Sequence, residues 1–164
     1  MKKESWEVED WKEAGAIIGN NVIGIDSFID VAFPYLIEIG DDTVLTGATI
    51  LAHDASTHRE LGYSKIGVTS IGKRCFLGHG SIVMPGISIG DDCIIGAGTV
   101  VSQDVESGSV FAGGRRICST NSYLAKHKAR MEDPSIPVFN DIPHTKEEQM
   151  LWREALREKG GYAK

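Results

Sequence analysis

Long apolar runs are missing from these 164 residues. Nothing approaches the roughly 18–20 consecutive apolar residues that a membrane span needs. The opening MKKESWEVED has no hydrophobic core of the kind that marks a secretory leader. Neither insertion nor export is signalled, so a cytoplasmic protein is expected. Excess positive charge is missing too: 17 Lys and Arg face 23 Asp and Glu, a formal net charge of −6. That balance argues against nucleic acid as a partner, because phosphate binding wants a basic face. It leaves room for a small anionic ligand held by a local Arg or Lys pair. Cysteine is scarce, and Cys75, Cys93 and Cys118 form an odd set without a CxxC. A disulfide framework does not fit, and a reducing compartment does. No HExxH, P-loop or dinucleotide fingerprint is present, and no metal is expected. With 41% hydrophobic and 24% charged residues, wholesale disorder is excluded. One domain with its own core is the default at this length.

What the chain has in quantity is glycine, 19 in all, and a repeat accounts for much of it. From Ile71 the sequence divides into IGKRCF, LGHGSI, VMPGIS, IGDDCI, IGAGTV and VSQDVE. The blocks begin at Ile71, Leu77, Val83, Ile89, Ile95 and Val101, and four carry glycine second. An earlier stretch repeats the pattern with Ile39, Leu45 and Leu51, and a weaker copy lies around Ile17 to Ile29. A period of six is neither helical nor a plain strand alternation. A short strand plus a turn every six residues makes a polygon, and three sides make one 18-residue coil. Successive coils pair through parallel ladders and turn every sixth aliphatic residue into one continuous core. Two residues before each aliphatic stand Thr69, Cys75, Ser81, Ile87, Cys93 and Thr99, mostly small. Cys75 and Cys93, one coil apart, are expected to stack as small core residues.

The repeat breaks in informative places. AHDASTHRELGYSK, between Leu51 and Ile66, is polar and must leave the coil as a loop over about 52–65; outward loops on rigid scaffolds often carry function. DVAFPYLIE (Asp30–Glu38) also departs from strict hexads, with Pro34 marking a corner. After Val105 the pattern fades. A helix capped by Ser119 or Thr120 is expected to run to about Met131. A second is expected from Thr145 to Lys159, with Thr145 and Glu148 spaced as a capping box and Gly160 and Gly161 ending it. Trp6 and Trp11, in a short charged helix, are expected to cap the other end of the coil stack. The organisation read this way is a helical segment over 1–16, the coil domain over 17–117 and a helical extension over 118–164.

The phrases IEIGDD, ILAHD, VMPGISIGDDCIIGAGTVVSQDV and FAGG followed by RRI resemble the hexapeptide-repeat acyltransferases, in particular the maltose and galactoside O-acetyltransferase branch and the smaller acetyltransferases of polysaccharide gene clusters. The resemblance implies an all-β, left-handed parallel β-helix with an ejected loop and C-terminal α-helices. The general rule for parallel crossovers alone would predict the opposite hand. It also implies a homotrimer that transfers acetyl from acetyl-CoA to a hydroxyl of a sugar or glycan in a ternary complex. The short N-terminal segment departs from the maltose-type start and favours a polysaccharide or sugar-precursor acceptor; a xenobiotic or an amino acid is the alternative.

His53 follows an aliphatic hexad where the loop leaves the coil, so it is both anchored and open to substrate. An imidazole titrates near pH 6.5 and can accept a proton at neutral pH. The resemblance gives it the role of general base on the acceptor hydroxyl. Asp26, Asp30 and Asp54 are candidates to orient His53 or to bind a sugar hydroxyl. For the cofactor, the resemblance points to Phe76 and His79 beside the pantetheine channel and to the backbone of Ala97. It also points to Ser102 and Gln103 near the nucleotide, and to one of Arg115 and Arg116 on the 3′-phosphate. Gln103 stands where the family often carries lysine, and the Gly–Arg spacer is shortened here. Two other classes compete. A zinc enzyme would need His53, His58 and His79 to converge at spacings that do not match the zinc-binding relatives of this fold. A non-catalytic β-helix scaffold would bind no CoA.

Overall fold

The computed structural model describes residues 7–164, so the sequence-based expectation for Trp6 lies outside the described residues. The chain forms two compact units, Met1–Thr120 and Asn121–Lys164.

The first unit opens with α1 (Val8–Glu13) and then coils. The first coil holds β1 (Ile17–Ile18), β2 (Ile23–Ile25) and β3 (Phe28–Ile29); the second holds β4 (Ile37–Ile39), β5 (Val44–Thr46) and β6 (Thr49–Ile50). A side hairpin follows, β7 (His53–Asp54) against β8 (Lys65–Ile66), with the single turn α2 (His58–Leu61) at its tip. The third coil is β9 (Thr69–Ile71), β10 (Phe76–Leu77) and β11 (Ile82–Val83). The fourth is β12 (Ser88–Ile89), β13 (Ile94–Ile95) and β14 (Val100–Val101). A last partial coil ends in the antiparallel hairpin of β15 (Ser109–Ala112) and β16 (Arg115–Ser119).

Strands of successive coils stack into three flat faces. Face A is β1-β4-β9-β12, face B is β2-β5-β10-β13-β15 with β16 at its edge, and face C is β3-β6-β11-β14. Between coils the pairing is parallel: Ile39 lies beside Ile71, Leu45 beside Leu77, and Val83 beside Val101. From the third coil to the fourth the offset is the 18 residues that the hexads predict, as in Phe76 opposite Ile94. Ile71, Leu77, Val83, Ile89, Ile95 and Val101 are all at most 3% exposed.

In the second coil the register departs from the sequence reading. Ile50, not Leu51, pairs with Val83 and is fully buried. The turn between Leu45 and Ile50 is one residue shorter than a hexad, which moves Leu51 out to the start of the next corner. Among the small residues, Thr43, Thr69, Cys75, Ser81, Cys93 and Thr99 are buried at the corners. The Cys75 thiol donates to the Gly90 carbonyl (3.1 Å) and the Cys93 thiol to the Glu106 carbonyl (3.2 Å). The neighbouring Cys93 thiol and burial push the Cys75 thiol up, so it is a neutral packing group.

The open end of the first coil is closed by a substitution of parts. Gly24 occupies the inward position of Leu45. Trp11, fully buried on α1, fills that space: a Cβ on Gly24 would lie 2.5 Å from the indole. The glycine is required by close approach, and the tryptophan supplies the volume that an aliphatic hexad residue supplies elsewhere.

The second unit contains most of α3 (Thr120–Met131), a short parallel pair β17 (Val138–Phe139) and β18 (Tyr162–Ala163), and α4 (Lys146–Ala155). Thr145 caps α4: its Oγ1 accepts from Glu148 N (3.2 Å), and Glu148 Oε2 accepts from Thr145 N (2.9 Å). Phe139 stacks on Trp152 with ring centroids 3.8 Å apart. The helix stops at Ala155 rather than at Lys159. None of the described helices is long and apolar enough to cross a membrane.

Candidate active site

The large departures from the regular coil fall at one corner, where face C turns back to face A. The offset is 21 residues between the first two coils (Phe28 opposite Thr49) and 32 or 33 between the second and third, where Ile50 lies opposite Val83. Both insertions, 30–36 and the hairpin after Ala52, emerge there, and they meet at His53.

Asp30 is only 2% exposed, and its carboxylate organises this corner. Its Oδ2 accepts from the backbone N–H of Ala52 (3.0 Å) and of His53 (2.9 Å), and Oδ1 from that of Ala32 (3.1 Å). Oδ2 also receives His53 Nδ1 in a short contact. The side chain thus satisfies backbone donors that the ladder leaves open as the chain exits the coil. Burial pushes the Asp30 carboxyl up, but the His53 ring and the Ala52 and Ala32 N–H groups outweigh it and hold it below its ordinary value. A carboxylate on Nδ1 demands the proton there, which leaves Nε2 as the unprotonated nitrogen of the neutral ring. The His53 side chain is 31% exposed, and Phe33 packs beside it with ring centroids 5.2 Å apart. The arrangement is a histidine with one fixed tautomer and a fixed orientation.

The other candidate carboxylates lie elsewhere. Asp54 accepts from Ser56 N (2.8 Å) and pairs with Lys65 Nζ (2.6 Å) across the hairpin; these partners hold its carboxyl down to about 2. Asp26 stands exposed on the turn between faces B and C with φ 46°. Of the three aspartates, the structure therefore joins Asp30 to His53 and ties Asp54 into its own loop. The sequence flagged the departure at 30–38 but not Phe33 as the neighbour of His53. An aromatic beside a proline reads as packing until the hairpin is seen against it.

Of the residues singled out for a cofactor, His79 and Ala97 lie at a different corner, between faces B and C. Its turns are Gly47, Gly80, Gly98 and Gly113, all left-handed with φ of 57–70°. His79 is exposed with its ring over Gly47, and Gly98 N donates to the His79 carbonyl (2.8 Å). Ala97 is exposed directly against Gly78, where a Cβ would lie 2.6 Å from Ala97 N. A Cβ on Gly98 or Gly113 would meet nothing within 4 Å, so backbone is bare at this edge. Phe76 projects outward from face B at 43% exposure. Ser102 and Gln103 are exposed on the turn that leaves face C toward face A, and Gln103 Nε2 reaches the Gly114 carbonyl (3.1 Å). Arg115 and Arg116 are both exposed on β16, with Arg116 Nε on Ser109 Oγ (3.1 Å). Face C separates this corner from His53. A groove of about 710 Å³ runs over face A past Glu38, Ser70, Ser88 and Asp104 and includes none of the candidates. Its acidic lining does not suit a phosphate-bearing ligand. Among the described residues, no group of His, Cys, Asp and Glu is arranged to hold a metal ion.

Residues 68–103 match the family model of the hexapeptide repeat of succinyl-transferase. No curated protein sequence matches the chain. Among solved structures, a galactoside acetyltransferase in complex with coenzyme A aligns at 24% identity and a TM-score of 0.58, covering 76% of each chain. A maltose O-acetyltransferase from Clostridium difficile 630 aligns at 24% identity and 0.50, covering 72% of this chain and 79% of that one. A hexapeptide-repeat-containing acetyltransferase from Vibrio cholerae aligns at 18% and 0.50, covering 72% and 82%. The chain shares their fold. The repeat that defines it here is the one carried by the third and fourth coils.

Proposed function

We propose that this protein is an acetyl-CoA-dependent O-acetyltransferase acting on a hydroxyl of a sugar or glycan, built on a left-handed parallel β-helix. The observation that carries the reading is the His53–Asp30 pair at the corner that both insertions reach. In this reading His53 Nε2 removes the proton from the acceptor hydroxyl as its oxygen attacks the thioester carbonyl. Asp30 is a positioning residue: it fixes the tautomer and stabilises the imidazolium as it forms. The imidazolium then returns the proton to the departing CoA thiolate.

Acetyl-CoA is the donor substrate; its track begins at the bare glycine corner with His79 and Ala97 and continues to Ser102 and Gln103 beyond β14. Phe76 flanks the pantetheine channel, and one of Arg115 and Arg116 takes the 3′-phosphate, for which a guanidinium is geometrically suited. Because face C lies between that corner and His53 within one chain, the donor meets the base most directly between two subunits. A homotrimer supplies such a cleft. Its packing is favoured by apolar residues that point outward from faces B and C, including Ile23, Phe28 and Val100 at 46–51% exposed. Asp26, on the turn between faces B and C, meets a sugar hydroxyl across that cleft from the neighbouring subunit, and the catalytic domain spans 17–117.

The test is CoA release from acetyl-CoA over a panel of sugars and nucleotide sugars, wild type beside His53→Ala. Acceptor-dependent release that falls about a hundredfold or more in the variant is expected, the scale of a lost general base. Release that persists in the variant removes His53 from the mechanism. Failure of CoA to bind at all turns the protein into a scaffold.

A further inference from the structure

The three residues by which the first coil exceeds a regular repeat carry two aromatic side chains to the base. After Asp30 the chain makes a 3-10 turn over Pro34–Leu36, with Pro34 buried and its ring fixing the backbone. Phe33 leads into this turn and packs partly against the core. One side of its ring meets His53, at 5.2 Å and 55°, and its edge meets Tyr35 at 6.3 Å and 68°. Tyr35 is 59% exposed. A rigid turn is thus spent on holding an exposed tyrosine one ring away from the imidazole.

The carboxylates nearest the base are already occupied. Asp30 is buried with both oxygens accepting hydrogen bonds, and Asp54 is closed by Lys65 and Ser56. A molecule presenting a hydroxyl to His53 therefore meets aromatic surface before it meets a fixed charge. We propose that Phe33 and Tyr35 form the floor of the acceptor subsite and take the apolar C–H face of a pyranose ring. The ring edge then directs one hydroxyl at His53 Nε2, and the Tyr35 hydroxyl at the rim donates to or accepts from a neighbouring one. An aromatic floor of this kind favours a cyclic acceptor over an amino acid, whose charged ends find no partner there. The inference rests on the reading of His53 as the base, but it concerns a different pair of side chains and a different observable.

The experiment is saturation-transfer NMR on CoA-saturated protein with methyl β-D-galactopyranoside and methyl β-D-glucopyranoside as probes, with serine as the acyclic control. Wild type is expected to transfer saturation to the C–H protons of one ring face and none to serine. Tyr35→Ala is expected to weaken sugar binding roughly three- to tenfold, the scale of one aromatic contact. His53→Ala is expected to keep the ring-face signals while losing affinity on the scale of one hydrogen bond. Phe33→Leu keeps most of the packing volume and is expected to weaken the same ring-face signals, which guards against a folding artefact. Absence of transfer to either sugar, or equal transfer in Tyr35→Ala, overturns the floor. Normal turnover by His53→Ala, together with weakened sugar binding in Tyr35→Ala, would instead overturn the base and leave the floor standing.

Discussion

Where face A turns into face B, every coil bends through the same two positions; where face C turns back into face A, the coils bend by very different lengths of chain. The first corner reads Asn20-Asn21, Asp41-Asp42, Lys73-Arg74 and Asp91-Asp92 down the stack. The second residue of each pair is left-handed, with φ of 54–58°. Neighbouring coils are tied there by side chains. Asp41 accepts from Asn20 N (2.9 Å) and from Lys73 Nζ (2.8 Å), Asp91 accepts from Lys73 N (2.8 Å), and Arg74 forks onto Asp92 (2.7 and 2.8 Å). The other corner varies in length by many residues and holds His53, Asp30 and Phe33. One corner keeps register, so the other is free to change length without disturbing the ladders. The corner that tolerates insertion is the one the proposed chemistry uses.

The largest effect that separates the two corners is expected from Asp30→Asn. The amide has one acceptor oxygen where the carboxylate uses two, and it loses the negative charge that stabilises the imidazolium. A fall in kcat of about 10²–10⁴ is expected, by analogy with loss of the orienting carboxylate in a hydrolase triad. The acetyl-CoA KM should hold, since the proposed donor track is elsewhere. Steady-state kinetics in both substrates checks this, and an equal rise in acetyl-CoA KM would return Asp30 to a structural role. The same residue gives a pH effect on stability. Its folded pKa is lowered, so its contribution is complete above the ordinary carboxylate range near pH ~4 and is lost as pH falls through the folded value. Wild type should therefore lose stability on acidification more steeply than Asp30→Asn, as urea midpoints on either side of that range would reveal.

A second contrast concerns glycine. Gly72, at the register-keeping corner, is not left-handed; a Cβ there would lie 2.6 Å from Asp91 N of the next coil. Gly98, at the corner between faces B and C, is left-handed at φ +67° but faces open space. Gly72→Ala forces rigid backbones apart and is expected to cost about 1–3 kcal/mol or more, as overpacking does. Gly98→Ala meets only conformational strain, about 1–2 kcal/mol. Chemical denaturation orders the pair. The reading of the second hexad glycine as a close-approach residue fails if the two variants lose the same stability.

This contrast also explains what was legible in the sequence. Ile71 through Val101 announce their burial because each face is one strand wide and each inward position must be apolar. The pairing of Asp30 with His53 was one of three open choices, because Asp26, Asp30 and Asp54 all precede or follow a turn. Only the longer turn after Asp30 decides which carboxylate reaches the hairpin. Ile50 took the place expected of Leu51 because a corner can shorten by one residue while adjacent aliphatics hide the slip. Gly24 looks like a weak copy of the repeat until Trp11, well upstream in the chain, is seen filling its space. Periodicity reports what repeats; the site is built from what does not.

The smallest expected effect comes from Arg74→Ala. Arg74 is half exposed, as is Asp92, so water and salt screen the pair heavily. It also occupies a left-handed position where alanine gains nothing. A small fall in Tm that shrinks further at high salt is expected, measured by thermal melts at low and high ionic strength. Acetyl transfer should be unchanged, because no candidate site residue touches this corner. Lost activity in a folded Arg74→Ala would mean that the register-keeping corner reaches the active site, and the division of labour between the two corners would collapse.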